Sequence, residues 1–99
     1  MIAFTRTASI APGKTADAVA FGHEVAKYFK EKHGTTLEVL MPVGGNPARI
    51  AWHTKYESLG QWETLTAKLL ADKTYMEIVS KHAATFLPGS VCDHIWRTI

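Results

Sequence analysis

Residues 50–63 read "IAWHTKYESLGQWE", and the fold turns on where the period of this stretch changes. Up to Tyr56 the side chains alternate. Ile50, Trp52, Thr54 and Tyr56 share one parity; Arg49, Ala51, His53 and Lys55 share the other. A two-residue repeat is the signature of a strand, here over 48–56. From Ser58 the repeat becomes helical, with Leu59, Trp62, Leu65 and Leu69 at three- and four-residue intervals. Ser58-Leu59-Gly60-Gln61 fits the S-x-x-Q capping box, which satisfies the free N–H groups of a first helical turn. A strand therefore runs almost directly into a capped helix.

Working outward gives the other elements. "TLEVLMPV", residues 36–43, reads as a strand with Leu37, Val39, Met41 and Val43 on one face. Pro42 has no N–H to give a ladder, which places this strand at an edge or a bulge. "GGNP" at 44–47 is a hairpin-type connection. From Thr15 to about Lys32, Ala18, Phe21, Val25, Tyr28 and Phe29 form one apolar stripe of a helix. Thr15 is its expected N-cap, and Gly34 ends it in a left-handed turn. "IAFTRTASI", residues 2–10, is a strand in which Ile2, Phe4, Ala8 and Ile10 alternate with Ala3, Thr5, Thr7 and Ser9, before Pro12-Gly13 breaks it. On the C-terminal side "ADK" interrupts the helical pattern, and Thr74-Tyr75-Met76-Glu77 reads as a second capping box. Tyr75, Ile78, Val79, His82 and Phe86 continue the apolar stripe until Pro88-Gly89. Residues 91–99, "VCDHIWRTI", make a fourth strand.

The order is β-α-β-β-α-β. Right-handed crossovers put the third strand between the first two. The expected product is a ferredoxin-like α+β domain over residues 1–99, with an antiparallel sheet in the order 4-1-3-2 and its helices on one face. The opposite face then has no cover within the chain. It carries Trp52 or Trp96, depending on which parity of each strand points outward. An exposed apolar face of this kind marks an interface. A twofold homodimer with two sheets face to face, a dimeric α/β barrel, is the expected solution. The space beside such a sheet suits a small hydrophobic or aromatic ligand.

Composition bounds the alternatives. The chain has 99 residues, 46% hydrophobic and 20% charged, which excludes a disordered polymer and fits one domain. A net charge of +2 with no Lys/Arg cluster excludes a nucleic-acid footprint. The most basic stretch, Lys27 to His33, is interleaved with Tyr28, Phe29 and Glu31 and reads as a solvated helix face. No apolar run reaches the ~20 residues of a membrane span, and no basic-then-apolar leader opens the chain. A cytoplasmic location is expected. The single cysteine, Cys92, excludes an internal disulfide; in a strand pattern it is expected to be a buried, inert thiol.

"RTASIAPGKTADAV" (6–19), "YESLGQWETL" (56–65) and "LLADKTYMEIV" (69–79) together resemble the dimeric α/β-barrel superfamily, and within it NIPSNAP-like proteins. Those show a strand ending RTY-x-x-x-PG(K/R), a strand running into Y-x-SL, and an L-x-x-D-P-x-W break. The chain departs from that pattern at two positions. Phe4 stands where the family has an acidic residue, and Ala8 where it has a tyrosine, so only Arg6 of the three carries over. A more distant resemblance is to antibiotic-biosynthesis-type monooxygenases. It implies a pocket and a dimer; the superfamily also holds haem-degrading enzymes and isomerases, so it implies no single reaction.

The candidate site residues are Arg6, Thr7, His53, His94 and Trp96. Arg6 lies mid-strand, where an unpaired guanidinium is costly, so it needs a partner or a wet cavity. Asp93 on the neighbouring strand is the ordinary partner; an anionic ligand is the functional one. His53 is the best catalytic candidate. If Ile50 and Trp52 pack under the helices, His53 points into the dimer space, where a neutral imidazole can serve as a general base. His94 shares its face with Cys92, Trp96 and Thr98 and can supply a second imidazole. An interface or surface histidine is the plainer reading of each. Thr5, Thr7 and Ser9 are small enough to leave room for a ligand or to allow close packing. His82, on the apolar stripe, is expected to bond backbone, and His23 and His33 to be solvated. No two histidines have i, i+4 or H-x-x-H spacing, so no metal site is expected. A haem ligand role for His53 or His94 has no further support, and no cofactor is expected. "GGN" at 44–46 lacks the strand–helix context of a dinucleotide or phosphate loop, and no G-x-S-x-G elbow is present. Two functions remain: a small-molecule binder, with cofactor-independent oxidation or isomerisation as its chemistry, or a non-catalytic homodimeric module whose sheet face is wholly filled.

Overall fold

The computed structural model describes residues 1–99. Its elements are β1 (Ile2–Ser9), α1 (Thr15–His33), β2 (Glu38–Leu40), β3 (Arg49–Tyr56), α2 (Leu59–Leu70), α3 (Lys73–Lys81) and β4 (Cys92–Arg97), with a short 3-10 turn at Ala83–Thr85. The sheet runs β2-β3-β1-β4 and is antiparallel throughout, the ferredoxin-like order expected from the sequence. It is open, with β2 and β4 as its edges.

Parity decides what each strand buries. Ile2, Phe4 and Ala8 of β1 and Ile50, Trp52 and Tyr56 of β3 join Ala18, Phe21, Val25 and Phe29 of α1 and Leu65 of α2 in one core. Trp52 is therefore inside, edge-on to Phe21 and Phe86, and the aromatic residue left on the open face is Trp96. Helix α1 sits close to the sheet at Gly22. A Cβ there would lie 2.8 Å from Val39 Cγ1 and 3.4 Å from Ile50 Cδ1. The Trp52 indole N–H faces the same tight contact and has no partner.

Several termini differ from the sequence reading, each for a local reason. Lys14, not Thr15, is the N-cap of α1; Thr15 is already helical and makes no cap bond. Gly34 does end α1, at φ 65°. Strand β2 is three residues rather than eight. It pairs only through Glu38, Val39 and Leu40, and the chain leaves the sheet before Pro42, which has no donor to continue the ladder. Ser58 caps α2 by accepting from Gln61 N–H at 3.1 Å, while Gln61 Oε1 accepts from Glu57 N–H, one residue earlier than in a strict box. Asp72, not Thr74, caps α3, accepting from Tyr75 N–H at 3.2 Å. An aspartate is as good a cap as threonine, and here it has a second task. It accepts from the Tyr28 hydroxyl on α1 and lies 3.6 Å from His33 Nε2. His33 is thus largely buried rather than solvated. His82 also departs from expectation: it packs on Phe21 and bonds the Glu24 carboxylate, 3.2 Å away, instead of backbone.

Strand β4 is exposed along its whole length. It is an edge strand whose open face carries Cys92, His94 and Trp96 and whose helix-side face carries Asp93, Ile95 and Arg97. Cys92 is consequently exposed, not buried. No helix of the chain is long and apolar enough to cross a membrane.

Candidate functional site

Antiparallel register brings one residue from each strand into a row across the open face. Glu38 of β2 is opposite His53 of β3, His53 is opposite Thr5 of β1, and Thr5 is opposite His94 of β4. The next row reads Leu40, Ala51, Thr7 and Cys92. Beyond Thr5 on the other side, Ala3 lies between Lys55 and Trp96. Small side chains on the central strand β1 leave the imidazoles of its two neighbours standing on either side of Thr5.

The sequence offered no orienting partner for His53. The structure supplies Thr5, whose Oγ1 is 3.1 Å from His53 Nδ1. Only pairing register reveals this contact, since the two residues are 48 positions apart. When Nδ1–H donates to Thr5, Nε2 is left with a free lone pair and can take a proton; when Thr5 donates to Nδ1, Nε2 carries the proton and can give one. On β4, His94 Nε2 lies 3.5 Å from the Cys92 thiol. Glu38 was not foreseen as a member of this surface, and Cys92, expected on the face of His94, was not foreseen as an exposed one. The face is apolar at its flanks, where Trp96 is 65% exposed and Leu40 42% exposed. Of the predicted residues, Thr7, His53, His94 and Trp96 are brought together here.

Arg6 is not among them. It belongs to the helix-covered face, between Phe4 and Ala8, and its partner is the one expected. Arg6 Nε donates to Asp93 Oδ1 at 2.6 Å and Nη2 to Oδ2 at 2.8 Å. Its guanidinium carbon stands 5.7 Å from the centroid of the Phe4 ring. The Tyr56 and Tyr75 phenols lie nearby. Burial raises the pKa of each, and the Arg6 charge opposes that rise, so both phenols stay protonated. The Asp93 hydrogen bond outweighs desolvation and reinforces the Arg6 charge.

Two concavities lie elsewhere. One of about 370 Å³, lined by Thr36, Glu38, Lys55 and Gln61 among others, sits at the end of the sheet near Gly34. The other, about 520 Å³, lies between α1 and α3 and is lined by His23, Glu24, Lys27, Lys81 and His82. Neither touches Arg6, His53 or His94.

No family model and no curated protein matches the sequence. Solved structures do match over the whole chain. A NIPSNAP family protein of unknown function from Agrobacterium tumefaciens superposes with a TM-score of 0.84 at 17% identity, over 99% of this chain and 87% of that one. The fold is that of the NIPSNAP proteins. An uncharacterized NIPSNAP domain protein from Burkholderia xenovorans agrees, with a TM-score of 0.82 at 12% identity, over 100% of this chain and 95% of that one. A protein from Nitrosomonas europaea, provisionally assigned as an antibiotic biosynthesis monooxygenase, shares the fold more distantly. Its TM-score is 0.75 at 14% identity, over 100% of this chain and 99% of that one. Both kinds of neighbour named by the sequence resemblance therefore appear, and the NIPSNAP structures superpose better than the monooxygenase. Likeness at these identities speaks to the path of the backbone. Which side chains work must come from this chain's own face.

Proposed function

We propose that this NIPSNAP-like domain is a homodimeric, small-molecule-binding protein whose open sheet face packs against a second copy, forming an α/β barrel. The observation that supports it is the row His53–Thr5–His94, flanked by the exposed side chains of Trp96 and Leu40 on a face that no helix covers. A large indole and a leucine on a flat sheet are removed from water by a self-complementary partner. Small Ala3, Thr5 and Thr7 between them leave a gap that suits a small hydrophobic or aromatic molecule. His53, oriented by Thr5, is placed to move a proton on that molecule, the step that cofactor-independent oxidation and isomerisation share. His94 is the second imidazole. No cofactor enters this reading, and the expected location remains the cytoplasm.

The test has two stages. Light scattering after size exclusion should give twice the chain mass, and Trp96→Glu should give the monomer while retaining the far-ultraviolet dichroism of the wild type. A monomeric wild type at 100 µM sinks the reading. In the dimer, His53→Ala should abolish turnover found in a screen of small aromatic substrates; unchanged turnover removes His53 from the chemistry. The two concavities described above lie away from this face, which favours one competing reading: an assembly module in which the two sheets fill one another. A dimer that binds none of the screened compounds is that outcome.

A further inference from the structure

The two edges of the sheet are built differently. β2 pairs through three residues and leaves the sheet before Pro42, which blunts that edge. β4 carries no such device. Cys92–Arg97 holds no proline, glycine or lysine, its register with β1 runs unbroken, and every one of its residues is exposed.

One hydrogen bond fixes where its backbone groups point. Thr98 N–H donates to the Met1 carbonyl at 2.9 Å. In an antiparallel pair, residues that bond the neighbouring strand alternate with residues whose N–H and C=O point away from it. Trp96, His94 and Cys92 are in step with Thr98 and so face β1, opposite Ala3, Thr5 and Thr7. Asp93, Ile95 and Arg97 turn their N–H and C=O groups outward along the exposed edge. Their side chains lie on the helix side of the sheet, where Ile95 is 41% exposed. Arg97 has no carboxylate partner in its own chain. A row of outward donors and acceptors is a template for another strand.

The residues themselves select the strand that fits. Two copies of β4 related by a twofold axis run antiparallel. Only outward-facing residues can bond opposite one another, so the register can move only in steps of two residues. With the axis at Ile95, that residue meets the partner's Ile95, Asp93 meets the partner's Arg97, and Arg97 meets the partner's Asp93. The Asp93 carboxylate keeps lone pairs for this beyond the two bonds from Arg6. One step in either direction sets both charges against apolar residues. Two steps set Asp93 or Arg97 against its own copy. Opposite charges facing one another stabilise a strand pair and like charges destabilise it.

We infer that β4 is an interaction edge for a second copy of this chain, paired antiparallel about Ile95, and that the pairing brings the partner's Trp96 beside His94. In this register those two residues form a pair without hydrogen bonds between them, the closer of the two antiparallel spacings, with Cα atoms about 4.5 Å apart. Both side chains are on the open sheet face. The row Glu38–His53–Thr5–His94 therefore continues into the neighbouring copy and ends on an indole. The candidate site gains an aromatic wall that its own chain does not place there. A face-to-face dimer uses a different surface, so either association can exist without the other. One short strand buries little area, and the pairing belongs with the small, transient interfaces.

A transient contact is best trapped. In a Cys92→Ser background, Ile95→Cys should give a disulfide-linked dimer on oxidation with diamide, because the two copies of that position lie about 5.5 Å apart at Cα, within disulfide reach. Thr98→Cys in the same background is the register control. It falls opposite position 92 of the partner, far from its own copy, and should cross-link at least about tenfold more slowly. Ile95 is on the helix side, so a face-to-face dimer alone does not form this product. Adding Arg97→Asp to Ile95→Cys sets two carboxylates against each other and should slow cross-linking about tenfold, whereas Arg97→Lys should not. In cross-linked dimer made from ¹³C-labelled and unlabelled chains, an intermolecular NOE should join the α protons of His94 and Trp96. Wild-type protein supplies a measurement free of substitutions: the Ile95 amide should exchange at least about twofold more slowly at 1 mM than at 20 µM. The inference is overturned if Ile95 exchange does not change with concentration, if Ile95→Cys cross-links no faster than Thr98→Cys, or if Arg97→Asp leaves the rate unaltered. Absence of the NOE would overturn the placement of Trp96 beside His94.

Discussion

Gly22→Ala sets two effects of known sign against each other. In a free helix the change is favourable, because glycine in a helix interior costs about 0.8–1.0 kcal/mol relative to alanine. Here the new methyl meets Val39 Cγ1 at 2.8 Å, closer than carbon atoms approach without displacement, and reaches Ile50 Cδ1 at 3.4 Å and Trp52 Nε1 at 3.5 Å. Ile50 is fully buried and Trp52 nearly so, so neither yields. Relief must come from Val39, on a strand of three residues, or from lifting α1 off the sheet. Overpacking of a well-filled site costs typically ~1–3 kcal/mol. Subtracting the helix gain leaves a net destabilisation of about 1 kcal/mol, or a fall in melting temperature of roughly 4–8 °C for a domain of this size. Urea unfolding at fixed protein concentration measures it, with an unchanged slope showing that both states keep their extent. Val39→Ala removes the methyl that clashes. In that background Gly22→Ala should become neutral or stabilising, giving a coupling of about 1–2 kcal/mol. If Gly22→Ala alone stabilises the protein by the full helix-propensity gain, α1 does not approach β2 as closely as this packing requires, and the reasoning fails.

Two further outcomes follow from the helix ends. The Asp72 carboxyl is held below its ordinary pKa, first by the Tyr28 hydroxyl and then by backbone N–H groups of α3. A depressed folded pKa gives stability that is present above the unfolded value near 3.9 and lost as pH falls through the folded value. Asp72→Asn keeps the cap but not the charge, so the mutant should be less stable than the wild type at pH 7, and the gap should close below pH 4. Urea midpoints from pH 3 to 7 decide this; a pH-independent gap would mean that the charge contributes nothing. Ser58→Ala removes the acceptor of the Gln61 N–H and should cost about 1 kcal/mol by the same measurement, with Ser58→Thr near wild type. Equal stability of Ser58→Ala would show that the α2 start is held by packing alone.

The element order and the sheet order were legible because they depend on period and chain connection. Alternation in 48–56, the switch at Ser58, the interruption at "ADK" and the turn at Gly34 are local signals that tertiary packing had no reason to override. The same locality explains the errors at element ends. The eight-residue pattern at 36–43 is sound as alternation, but a strand extends only where a neighbour offers partners, and Pro42 removes a donor. Thr74 and Thr15 fit capping patterns, yet a nearby aspartate with a tertiary partner in Tyr28 captured the first. For α1 the capping preference of threonine pointed to Thr15, yet the helix begins one residue earlier, at a Lys14 N-cap whose side chain makes no cap bond. Cys92 reads as an apolar strand residue, but burial is a property of the layer above a strand, and β4 has none.

The candidate site divides along the same line. The sequence by itself determined parity: His53 with Ala51 and Lys55, His94 with Cys92 and Trp96, Arg6 with Phe4 and Ala8. It did not determine which parity faces the helices, because Arg6 spoke against the face that Phe4 and Ile10 favoured. Tertiary structure resolved this by placing Arg6 where helix cover runs out and Asp93 can meet it. It also fixed the register that stands Thr5 between His53 and His94. A strand's two-residue repeat is written in its own residues, whereas register and cover arise only from strands and helices that are distant in sequence.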